Sequence, residues 1–282
     1  MKYSFIATEG IQDVAFISKI LKELGFVRER YIRILGNPLR EDADVKPDQQ
    51  ILVDEFWLKL LPKPGSVGMY GDFTRGVQLP WFWNNEKMDI AVAVQGLGGL
   101  PRFFDCLRDN FNCISPTELF SIGIILDADS NKTPTETFNE FILDIKKKVP
   151  SVSNVPDTLG VIAGNNPKVG LFIFPNNVDM GTVEDLLLDC AAEVYPNVKK
   201  HIENFIDNES EWFRDLEGKE NKELQKPAGK QKLAVAGISS VMKPGRAVQN
   251  TIEDFRWLCN DTMEIDRIKQ FVDFLKELLD LQ

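Results

Sequence analysis

The sequence predicts an α/β fold, a mainly parallel sheet flanked by helices, and three observations carry that expectation. Short runs rich in β-branched and aromatic residues alternate with amphipathic stretches of helical period. One such run, Phe120-Ser-Ile-Gly-Ile-Ile-Leu-Asp127, is nearly all apolar, as a parallel strand covered on both faces has to be. Helix-start signals then follow the strand-like runs, as in Thr133-Pro134-Thr135-Glu136, a capping box with proline at the first helical position.

Taken in order, Tyr3 to Thr8 suits a first strand and Glu9-Gly10 turns the chain. A helix over 11–24 follows. Val14, Phe16, Ile17, Ile20, Leu21 and Leu24 keep its period, and Gly25 ends it. A second buried strand is expected at 89–95, then the glycine-rich turn Gly96-Leu97-Gly98-Gly99 and a helix to residue 109. Ser115-Pro116-Thr117-Glu118 predicts a short helical turn before the strand at 120–127. A helix from Thr133 to 148, strand-like pieces at 159–163 and 169–174, and a helix over 183–192 complete the alternation.

Two stretches fall outside this rhythm. Residues 27–88 are far too long for an ordinary connection and read as an ordered insertion, with an amphipathic piece from Ile51 to Leu61 and an aromatic cluster at Trp81-Phe82-Trp83. Residues 199–232 mix both signs of charge like a solvated helix and linker, and 250–281 read as amphipathic helix. The expected organisation is a single domain over 1–282, with 27–88 inserted and 193–282 as a helical extension.

Composition bounds the function. A net charge of −10 argues against a general polyanion-binding surface, although bound divalent ions would add positive charge locally. The longest apolar run, near 119–126, is far short of the roughly 18 residues of a membrane span. Four cysteines without CxxC spacing and a single histidine disfavour a Cys/His zinc site. The cysteines read as small core residues of a reducing cytoplasm.

The residue types that carry chemistry are acidic. In Asp127-Ala128-Asp129 the i and i+2 side chains project to one side at a strand's C-terminal end, where α/β proteins place ligands. Two carboxylates held there repel unless a cation or proton intervenes. Glu9 occupies the same kind of strand-end position, with Asp13 in the first turn of the following helix, where a helix-cap role is an equal alternative. In Gly181-Thr-Val-Glu184-Asp185, the capping pattern accounts for Asp185 and leaves Glu184 as a third acidic contributor. Oxygen donors of this kind suit Mg²⁺ or Mn²⁺, and two such ions suit phosphoryl transfer.

These residues, in this order, resemble the Toprim domain of topoisomerases, bacterial primases, ribosomal-RNA maturases and the overcoming-lysogenization-defect nucleases. The matching elements are Glu9 in ATEG, the segment AVAVQGLGGLPRFFDCL, Asp127-Ala128-Asp129 in IILDADS, and the downstream GTVED. The TEGIQD opening and the GTVEDLLLD segment look most like stand-alone Toprim-like proteins. The resemblance covers 1–26 and 89–192, and departs from many members in the 27–88 insertion and in Ser130-Asn131 after the second aspartate. It implies metal at Glu9, Asp127 and Asp129, to which the reading of the residues themselves adds Asp13 and Glu184 as assisting carboxylates. It also implies a late lysine steadying transition-state charge, for which Lys230 and Lys232 are the candidates; two exposed lysines opening a helix is the plainer account.

Other readings fit less well. Gly96-x-Gly98 after a strand lacks the third glycine of a dinucleotide site, because Pro101 stands there. No Walker A or GxSxG sequence is present. Trp81-Phe82-Trp83 is either a base-stacking platform or buried packing of the insertion. The expectation is therefore a Mg²⁺- or Mn²⁺-dependent phosphodiester hydrolase, a nuclease acting on DNA or RNA. The rival is a non-catalytic Toprim-like domain that binds metal, nucleotide or a partner protein encoded by a neighbouring gene. No membrane association is expected.

Overall fold

The structure is a computed structural model that describes residues 1–29, 54–61, 79–128, 131–208 and 228–281, together with 216, 218, 222 and 224–226. Seven strands form one mixed sheet: β1 (Lys2–Thr8), β2 (Val27–Glu29), β3 (Trp81–Asn85), β4 (Ile90–Gly96), β5 (Ser121–Asp127), β6 (Ile162–Ala163) and β7 (Lys168–Phe174), in the order β2-β3-β4-β1-β5-β7-β6. The central four, β4, β1, β5 and β7, are parallel, while β3 and β6 pair antiparallel at either side. The sheet is thus mostly parallel, as the apolar strand runs predicted.

Alternation along each strand divides the core into two layers. On one face Ile6, Val92, Val94, Ile125 and Phe172 meet the helices α1 (Ile11–Glu23), α4 (Val183–Val194), α6 (Gly229–Met242), α7 (Val248–Asp254) and α9 (Asp266–Leu279). On the other, Phe5, Ala93, Ile124 and Leu171 meet α2 (Leu100–Cys113) and α3 (Pro134–Lys148). Across that second face Phe82, Ala93 and Phe5 lie side by side in register, a small residue between two large ones. Trp57 stacks on Phe82 with ring centroids 5.6 Å apart, so the short 3-10 helix Glu55–Leu60 closes this layer.

The paired glycines Gly123 and Gly170 make a trough for α9 on the first face. A Cβ at Gly123 would lie 2.8 Å from Leu278 Cδ2, and one at Gly170 2.8 Å from Phe274 Cε2. Burying side chains of this size contributes about 1.5–3 kcal/mol each, so the C-terminal helix is part of the core rather than an appendage.

Three expectations need correction, and the ends of the 27–88 stretch gain a definite place: β2 and β3 extend the sheet beyond β4. Phe82 and Trp83 are buried there, and Trp83 Nε1 donates to Ser18 Oγ at 3.1 Å, so packing rather than base stacking explains both. Of the expected amphipathic piece from Ile51 to Leu61, only 54–61 lie within the described residues. The helix after Gly99 runs on to Cys113. The C-terminal 250–281 is three helices, α7, α8 (Asn260–Met263) and α9, because the chain leaves helical geometry to bury Trp257 and Leu258. Thr262 Oγ1 then accepts the Cys259 N–H at 2.8 Å and restarts it. Finally, all four cysteines are free, but only Cys190 is buried and Cys113 is exposed. The helix α5 (Pro196–Asp207) matches the first part of the mixed-charge segment.

Candidate functional site

The parallel strands β1, β5 and β7 finish at the same rim of the sheet. Glu9 is the first residue after β1, and Asp127 is the last residue of β5. Thr8 lies opposite Ile125, so Glu9 arrives beside the end of β5, and its Oε1 accepts the Asp127 N–H at 3.1 Å. Asp127 Oδ1 in turn accepts the N–H of Val183, the first residue of α4, at 3.2 Å. The next amide, Ala128 N–H, is shared between the carbonyls of Phe174 at 3.2 Å and Gly181 at 3.1 Å. Two acidic side chains and three chain segments are therefore joined through backbone amides.

A fourth segment closes on Glu9. Its carbonyl accepts the N–H groups of Gly98 and Gly99, each at 3.0 Å, and both glycines have positive φ, 80° and 82°. Gly96, at the end of β4, faces the turn at Gly10 so closely that a Cβ would lie 3.0 Å from the Gly10 carbonyl carbon and oxygen. The glycine-rich segment that fails as a dinucleotide motif thus has a definite part, letting β4 end against the Glu9-Gly10 turn.

Two further carboxylates that interact with this group are buried, Asp13 at 5% and Glu184 at 2% exposure. Asp13 does cap α1, because its Oδ2 accepts the Gly10 N–H at 2.8 Å. It is also more than a cap. Burial first, and then the negative charges of Glu9 and Glu184, push its carboxyl up to about 8, against the opposing pull of the Gly10 N–H and of Lys232. Asp185 is the structural residue expected, accepting the Thr182 N–H at 2.8 Å.

The structure therefore brings Glu9, Asp13, Asp127 and Glu184 to one rim, with Lys232 of α6 near enough to act electrostatically on Asp13. Lys230 and Lys232 are both exposed in the first turn of α6. Asp129 lies outside the described residues. Among the described residues, no three His, Cys, Asp or Glu side chains converge closely enough to hold an ion. What sequence reasoning missed are the amides of Asp127 and Val183 as contributors. A backbone N–H is the same in every non-proline residue, so no sequence signal marks it.

These features define an α/β protein with a mixed sheet and an acidic cluster at the ends of its parallel strands. The chain belongs to the family described as Protein of unknown function (DUF3226), whose model matches residues 3–280. A crystal structure of the hypothetical protein PH0156 from Pyrococcus horikoshii OT3 is similar, with a TM-score of 0.51 and 15% identity over 100% of this chain and 96% of that one. A likeness at that identity concerns the fold alone. No curated protein matches the chain.

Proposed function

We propose that this protein is a divalent-metal-dependent phosphodiester hydrolase of Toprim type, acting as a nuclease. The observation that carries the reading is the joining of Glu9 to the Asp127 amide at the ends of two parallel strands, with the buried Asp13 and Glu184 near enough to Glu9 and to each other to interact electrostatically. Burial raises the Asp13 carboxyl, and the negative charges of Glu9 and Glu184 raise it further. A divalent cation bound beside these groups would offset their repulsion.

Carboxylate oxygens of this kind suit Mg²⁺ or Mn²⁺. Such ions take oxygen ligands, keep several waters and need only one or two carboxylates from the protein, so a closed three-ligand cage is not required. Glu9, Asp127 and Asp129 would hold the ion, and Asp13 and Glu184 would set the charge around it. When bound, the ion supplies a water of lowered pKa and stabilises charge on the phosphoryl oxygens. Glu9 and Asp127 are oriented by the chain itself: each has a carboxylate oxygen fixed by a backbone N–H. Lys232 is near enough to Asp13 to act on it electrostatically, and in this reading its positive charge would help to offset the negative charge that accumulates during cleavage.

The net charge of −10 supports a second reading, in which the domain binds metal, nucleotide or a partner protein without cleaving. Incubation with plasmid DNA and with RNA in Mg²⁺ or Mn²⁺ separates the two. The hydrolase reading expects cleavage that falls at least a hundredfold in Asp127→Ala and stops with chelator. Cleavage that persists in Asp127→Ala would sink it; tight metal binding without cleavage by the wild type would favour the second reading.

A further inference from the structure

We propose that Arg102 holds a phosphate of the nucleic-acid strand next to the bond cleaved at the Glu9–Asp127 rim. This rests on the phosphodiester reading and names the residue that lets so acidic a site accept a polyanion. Arg102 stands in the first turn of α2, one turn after the glycine pair whose N–H groups are fixed to the Glu9 carbonyl. Its backbone is therefore tied to Glu9 through three residues of braced chain. The packing face of α2 is made by Phe103, Phe104 and Leu107, which leaves Leu100, Pro101 and Arg102 exposed at the rim.

Charge assigns the role. Arg28, Arg108 and Arg267 are committed to ion pairs with Glu253, Asp105 and with Asp179 and Asp189. Lys132, the nearest lysine in sequence to Asp127, pairs with Glu140. Among the described residues Arg102 has no such partner; Arg246 and Arg256 have none either, but Arg102 is the arginine that follows the glycine pair fixed to the Glu9 carbonyl. A strand crossing an acidic rim on a chain of net charge −10 needs a cation that is not already neutralised. A guanidinium suits a phosphate with two parallel N–H donors, which an ammonium cannot reproduce. A contact of this kind positions the strand and does not read its sequence.

The test is equilibrium binding of a fluorescein-labelled single-stranded 20-mer, as DNA and as RNA, in Ca²⁺ and at a series of KCl concentrations. The proteins are wild type, Arg102→Ala, Arg102→Lys and Arg108→Ala. The last removes the same charge from the same helix, about 9 Å further along it. For Arg102→Ala we expect affinity to fall roughly tenfold at low salt, and the slope of log K against log salt to become shallower by about 0.7. Arg102→Lys should recover the slope and only part of the affinity, while Arg108→Ala should match wild type. Equal binding and equal slopes in wild type and Arg102→Ala would overturn the assignment of Arg102 and leave the hydrolase reading standing. The same loss in Arg108→Ala would overturn it too, because the effect would then be one of bulk charge. No binding by the wild type, to DNA or RNA, would overturn both the assignment and the nuclease reading.

Discussion

Replacing Asp13 by asparagine tests the electrostatics of the acidic rim without disturbing its shape. Asparagine has the same size, and its amide oxygen can still accept the Gly10 N–H that Asp13 Oδ2 accepts at 2.8 Å. The change removes only the ionisable group. In the folded protein burial, and then the charges of Glu9 and Glu184, push this carboxyl up to about 8 by disfavouring its ionised form. In the unfolded chain it returns to the ordinary aspartate value of about 3.9. Between those limits the folded state keeps a proton that the unfolded state has released. Stability therefore falls as pH rises through this window, by about 1.4 kcal/mol per pH unit at most. Urea unfolding of wild type and Asp13→Asn at pH 5, 6, 7 and 8 reports this group together with its coupling to Glu9 and Glu184, since titrations elsewhere in the chain cancel in the difference. The asparagine protein should gain on the wild type by about 3 kcal/mol between pH 5 and 7, and the gain should level off above pH 8. Millimolar Mg²⁺ or Mn²⁺ at pH 7 should narrow it, because a cation favours the charged carboxylate. A difference that stays flat from pH 5 to 8 would refute the claim that Asp13 is held against ionisation.

Two further outcomes follow from packing and bracing. Gly170→Ala places a Cβ 2.8 Å from the Phe274 ring, and should destabilise the protein by about 1–3 kcal/mol in urea unfolding; adding Phe274→Leu should recover part of that loss. Arg267→Ala removes pairs to Asp179 at 2.9 Å and Asp189 at 3.4 Å. Because these groups are more than a third exposed, the cost should be only about 0.5–1 kcal/mol, but amide hydrogen exchange should quicken in the segment 175–181 between β7 and α4.

Much of the scaffold was legible because its signals are local. The capping box at Thr133 and Glu136 appears as expected, with the Thr133 N–H donating to Glu136 Oε2 at 2.8 Å. The apolar run at 120–127 becomes β5, buried on both faces. The strand character of Trp81-Phe82-Trp83 was not legible, because three aromatics in a row carry no period until β4 supplies the partner edge. The break of the C-terminal segment was hidden for a related reason. Its apolar spacing is helical, and only the depth of the site that receives Trp257 makes leaving the helix favourable.

Of the acidic rim, the sequence by itself determined the members that stand at strand ends. Glu9 and Asp127 follow apolar strands that can only be central, and parallel strands in one sheet must finish at a common edge. The tertiary structure decided how those members differ. Glu9 and Asp127 reach the surface with one oxygen each on a backbone amide, whereas Asp13 and Glu184 are buried. Burial and mutual repulsion depend on which helices cover the sheet. That is set by contacts across the whole chain, such as α6 bringing Lys232 within reach of Asp13. Residue type supplies a carboxylate; its depth and its neighbours decide which charge it carries.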